Sequence, residues 1–150
     1  MEDENFDRLS TALAKLKRPL TLEGYLGEGG WSVVYKAHRD EQPVAVKLAI
    51  PNSVSESSLS FKNEMFLQQR LASVNTGVAN VYDYYINFDG LSFGIMELAS
   101  YSLCDILYEP DELPSQKDCI DFMIRLVQIM EKIHETRGII QTEGIFQAQR

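Results

Sequence analysis

Between Thr21 and Ala49 the chain carries three β-forming runs, 21–27, 32–38 and 43–49, separated only by a glycine turn and by the polar turn Arg39-Asp-Glu-Gln. Connections this short join antiparallel neighbours, because a parallel crossover needs a dozen or more residues. A second pair of runs, Val78–Phe88 and Leu91–Leu98, flanks Asp89-Gly90, a strong hairpin signal. Between the two groups Phe61, Glu64, Met65, Gln68 and Leu71 recur with helical period to about Ser73, after a serine-rich connection from Pro51 to Ser60. The expected fold is therefore α+β: a five-stranded antiparallel sheet with one helix inserted after the third strand.

Outside that region the texture is helical. Phe6, Leu9, Leu13 and Leu16 predict a lead-in helix over 5–17, stopped by Pro19. Ser102–Leu107 reads as a short helical piece, Glu109–Pro114 as a breaker, and 115–134 as a long helix opened by a Ser115/Asp118 capping box. Its apolar residues, from Ile120 to Ile133, cover more than one stripe, so burial on most sides is expected. Gln141–Arg150 is polar and patternless. The domain reading is 1–20 as an N-terminal helical extension, 21–98 as the sheet domain, 99–140 as a connection with further helices, and 141–150 as a tail.

Charge narrows the partners. With 14 basic against 22 acidic residues the net charge is −8, which argues against nucleic acid and anionic membranes. Cys104 and Cys119 have no Cys or His at ligand spacing, so neither a disulfide framework nor a zinc site is indicated. No run is long enough to span a membrane, and the acidic start is unlike a signal peptide. A cytoplasmic or nuclear location is expected.

Leu26-Gly27-Glu28-Gly29-Gly30-Trp31-Ser32-Val33-Val34 joins two strands through a turn whose glycines permit positive φ and leave N–H groups open to an anion. Either a plain hairpin loop or a phosphate cover fits it. A Walker A loop is excluded, because no Gly-Lys-Ser/Thr follows and the turn opens a strand. Downstream lies Val44-Ala45-Val46-Lys47, in which Ala45 and Lys47 share one face. A lysine on an apolar strand is costly to desolvate without an opposite charge. Glu64, in the apolar stripe of the following helix, is the candidate partner. The alternative is that it faces water beside Lys62.

In this order the motifs resemble the small lobe of a eukaryotic protein kinase, followed by its hinge and the first helices of an incomplete large lobe, over about 21–140. The inserted helix corresponds to the regulatory helix of that lobe. The resemblance implies an ATP site formed by Leu26, Gly27, Gly29, Gly30, Val34, Ala45, Lys47, Glu64, Met96, Glu97, Leu98 and Ala99. In it Lys47 holds the α- and β-phosphates and pairs with Glu64, and Met96 is the gatekeeper. Glu97 and Leu98–Ala99 offer backbone hydrogen bonds to adenine, and Leu26, Val34 and Ala45 sandwich the base. Asn63-Glu64, Val81-Tyr-Asp-Tyr84 and Met96-Glu97 resemble the dual-specificity spindle-checkpoint kinases. The implied partners are ATP and a protein substrate or regulatory protein, and the implied activity is transfer of the γ-phosphate to protein hydroxyls.

Two departures qualify that activity. Ser32 replaces the third loop glycine, which leaves nucleotide binding intact. Where the catalytic loop belongs the chain reads Gln141-Thr-Glu143-Gly-Ile-Phe146, and no Asp-Phe-Gly follows. His38-Arg39-Asp40 spells the catalytic triplet by accident, in a turn before the lysine strand. Phosphoryl transfer needs an aspartate base and two magnesium ligands; Glu143 alone does not replace them. No catalytic residue is assigned, and Mg²⁺ is expected only in a complete kinase. A truncated product, alternative ending or fragment is the expectation, with a non-catalytic interaction module as the alternative.

Overall fold

A computed structural model describes residues 4–50, 56–74, 77–103, 105 and 114–147, with the side chains of 56, 57 and 137–147 excepted. The described elements are α1 (Glu4–Ala14), β1 (Thr21–Gly29), β2 (Ser32–Arg39), β3 (Gln42–Ala49), α2 (Glu56–Val74), β4 (Val81–Phe88), β5 (Leu91–Glu97) and α3 (Gln116–Gln147). They form an α+β architecture with one five-stranded antiparallel sheet, ordered β1-β2-β3-β5-β4. The chain divides into two compact units, 1–70 with 79–98, and 71–78 with 99–150.

In the first unit the sheet has two apolar faces. Tyr35, Ala37, Val44, Val46, Leu48, Phe93 and Ile95 alternate onto one, and Leu9, Ala12 and Leu13 of α1 close over it with no exposed surface. Phe6 meets Tyr35 edge to face at 5.7 Å, and Tyr85 stacks on Phe93 at 5.1 Å. The lead-in helix is thus one of the two covers of the sheet. Phe61 and Met65 of α2 pack on the other face with Val81, Tyr84, Ile86 and Met96.

The turns follow their chemistry. Asp89 and Gly90 both take positive φ, 52° and 76°, as the two centre residues of a tight β4–β5 hairpin whose twist matches the strands. Asp40, the last residue of the accidental triplet, turns β2 into β3 with φ 56°. Lys15 pairs with Asp89, tying the end of α1 to that hairpin.

Several boundaries differ from expectation. Helix α2 begins by Glu56, not after Ser60, because serines in a first turn do not stop a helix. In the second unit α3 runs on to Gln147, where a patternless tail was expected after Ile140. Gly138 and Gly144 each cost about 1 kcal/mol relative to Ala, and no proline follows to break the ladder. The capping box forms at both arms: the Asp118 N–H donates to Ser115 Oγ at 3.2 Å and the Ser115 N–H to Asp118 Oδ2 at 3.1 Å. Burial of this helix on most sides is not found: Ile120, Phe122, Met123, Ile124, Leu126, Val127 and Met130 are all exposed. Residues 109–113 of the breaker and half of the short helix at 102–107, Cys104 included, lie outside the described residues.

Candidate functional site

Register fixes which side chains share the α2 face of the sheet. Val34 pairs with Lys47, and Lys47 in turn with Gly94; one step along, Ala45 lies between Lys36 and Met96. Directly opposed residues project to the same side. Val34, Ala45, Lys47 and Met96 therefore lie on one surface, with Gly27 of β1 opposite Val34. Ala45 is buried, while Val34 and Met96 are half-buried.

Lys47 stands on the central strand, and its Nζ donates to Glu64 Oε1 of α2. The expected pairing is formed, but not as a buried contact: the side chains of Lys47 and Glu64 are 23% and 48% exposed. A pair this open contributes about 0–1 kcal/mol to the fold. What brings Glu64 within reach is its neighbour Met65, fully buried, whose Sδ occupies the place a Cβ on Gly94 would take. Sequence reading missed Gly94, although a glycine inside a strand signals close backbone approach.

Gly29 pairs with Ser32 across a two-residue turn, Gly30-Trp31, and none of Gly27, Gly29 and Gly30 adopts the left-handed φ that their type allows. A Cβ would meet nothing within 4 Å at Gly27 or Gly30, and only Ser32 Oγ, at 4.0 Å, at Gly29. Neither backbone conformation nor packing calls for glycine here. Leu26 is exposed, and Trp31 at the tip is 71% exposed.

At the other end of the face, Glu97 Oε2 accepts from the Asn80 N–H at 3.0 Å and from Asn80 Nδ2 at 2.9 Å, and the Glu97 N–H donates to Asn80 O at 2.9 Å. That N–H is therefore committed within the unit. Leu98 is half-buried at the end of the first unit, and Ala99 falls in the second. Among the described residues no group of three His, Cys, Asp or Glu side chains is placed to hold a metal, and no helix is long and apolar enough to cross a membrane.

On the same face Glu23 accepts from Lys36 Nζ at 2.7 Å and lies 2.6 Å from His38 Nδ1. The hydrogen bond from Lys36 is the main cause holding the Glu23 carboxyl below its ordinary value of 4.5, with charge attraction from His38 adding to it against partial desolvation. A depressed folded pKa gives stability that is complete above the unfolded value and is lost as pH falls through the folded one. The melting temperatures of Glu23→Gln and wild type should differ at neutral pH and converge as pH drops below about 4.5, the ordinary carboxyl value. High salt should narrow the difference at neutral pH. A gap unchanged down to strong acid would contradict the assignment.

No family model and no curated protein matches the chain.

Proposed function

We propose that the first unit is a kinase-like small lobe that binds ATP on the α2 face of its sheet. Lys47 carries the α- and β-phosphates, Val34 and Ala45 bear on the base, and the Gly27–Gly30 turn covers the phosphates. The carrying observation is Lys47 itself: a cation on the central strand, oriented by Glu64, still reachable from solvent, and adding little to the fold. The residues of this face suit the ligand. Ala45 is small enough to leave room for a flat ring, and the glycines leave backbone open to anionic oxygens. When bound, ATP supplies an anhydride ready for transfer. These residues contain no assigned catalytic aspartate or Asp-Phe-Gly, so the function proposed is nucleotide binding, not transfer.

Ligand binding to the folded state stabilises it by RT ln(1 + [L]/Kd), about 1.4 kcal/mol at ten times Kd, or roughly 6–11 °C for a unit of this size. Wild type should show such a rise with ATP, measured by differential scanning fluorimetry. Lys47→Met should melt within about 1 kcal/mol of wild type without nucleotide and show no rise with it. No rise in wild type at millimolar ATP would refute the reading.

The exposed apolar surface of α3 supports a second reading, a non-catalytic interaction module, in which the first unit need not bind nucleotide.

A further inference from the structure

Helix α3 has a polar side and an apolar side of unequal character. At 3.6 residues per turn, Ile120, Met123, Ile124, Val127 and Met130 fall within about 120° of arc along about 15 Å of helix. Each is between 43% and 62% exposed. Asp121, Arg125, Gln128, Lys132 and Glu135 occupy a different arc. Ile129, on the far apolar edge, meets Gly77 of the same unit, so that edge is occupied, while among the described residues the Ile120–Met130 strip is left exposed.

The strip has seven-residue spacing. Ile120 and Val127 take the first core position of a heptad, Met123 and Met130 the second, and Lys117, Ile124 and Glu131 flank the seam on one side. We propose that this strip is the contact surface between two copies of the chain, with the two α3 helices running antiparallel. Antiparallel packing places Ile120 against Met130 of the second copy and Met123 against Val127, a self-complementary set closed by a two-fold axis. The same register brings Lys117 beside Glu131 of the second copy, twice over. Parallel packing instead sets Glu131 against apolar Leu126 or Ile133 of the second copy and, among the described residues, leaves Lys117 without an acidic partner across the seam. Charge thus selects the antiparallel pair.

The surface available sets the strength. A fully buried aliphatic side chain removes on the order of 100 Å² of apolar surface, so five half-exposed ones supply roughly 250 Å² per copy. A standard interface buries about 800 Å² per partner, which puts this contact in the weak, reversible class. Association is expected on the order of 100 µM, a range typical of weak complexes and far above nanomolar affinities.

Sedimentation velocity on the full chain tests this from about 5 to about 500 µM, a span that brackets a weak dissociation constant. The expected result is a reversible monomer–dimer equilibrium. Val127→Glu should stay monomeric throughout, with helix content by circular dichroism unchanged. Because a charge in an apolar strip also bears on folding, the flanking pair gives the independent test. Lys117→Glu should weaken dimerisation about tenfold by replacing two attractions with two repulsions, and Lys117→Glu/Glu131→Lys should restore it. A wild type that is monomeric at every concentration overturns the proposal. So do assemblies larger than a dimer, dimerisation of Val127→Glu, or a Lys117→Glu variant that associates as wild type does.

Discussion

Leu13→Ala is expected to destabilise the first unit by about 2–5 kcal/mol, the range for emptying a fully enclosed leucine site. Leu13 has no exposed surface and sits among Leu9, Ala12 and the sheet residues of the same cluster. Total stability of a domain is about 5–15 kcal/mol, so the loss takes a third of it or more in the marginal case. For a unit of fewer than 100 residues, 3 kcal/mol lowers the melting temperature by about 12–24 °C. Urea denaturation followed by near-UV circular dichroism reads it out, since Tyr35, Tyr85 and Phe93 pack in the same cluster. Leu59→Ala is the control. That leucine is 62% exposed on α2, and its loss should cost under about 0.5 kcal/mol. If residues 1–20 were an extension lying outside the sheet domain, Leu13→Ala would behave like the control.

The strands were legible for a local reason. Short alternating runs joined by Asp89-Gly90 and by Arg39-Asp-Glu-Gln allow only antiparallel pairing, and the sheet has all five strands within a few residues of their expected bounds. The weight of α1 was not legible. Periodicity shows that Leu9 and Leu13 share a face, but not what that face meets, because the sheet face it covers is assembled from β2, β3 and β5. Helix ends failed in both directions for a related reason. Serines near 57–60 and glycines at 138 and 144 are weak local signals, and neither removes a backbone N–H as proline does.

At the candidate site the same division holds. The two-residue spacing of Ala45 and Lys47 puts them on one face, and helical period puts Glu64 in the α2 stripe; together they anticipate the ion pair. Its openness to solvent was not anticipated, because exposure depends on how far the sheet extends beyond each residue. The glycines of the 27–30 turn permit an unusual φ, and the backbone there does not use it.

Gly94 carries the most consequence for its size. A β-branched residue normally favours a strand over glycine, so propensity alone predicts that Gly94→Val stabilises β5 by up to about 1 kcal/mol. The structure predicts the opposite sign. A Cβ at 94 lands on Met65 Sδ and within 3.5 Å of its Cγ, and Met65 is fully enclosed with little room to yield. Overpacking of this kind costs about 1–3 kcal/mol. Moving Met65 also draws Glu64 away from Lys47, which faces Gly94 across the β3–β5 ladder. Gly94→Val should therefore lower stability in urea and also blunt the ATP-dependent rise in melting temperature. Met65→Ala alone leaves a cavity and costs about 2–5 kcal/mol. In the double variant the valine fills part of that cavity, so the combined loss should fall short of the sum by about 0.5–3 kcal/mol. Additive losses would mean that Gly94 and Met65 do not share the site, and the account of how α2 is held against the sheet would fail with them.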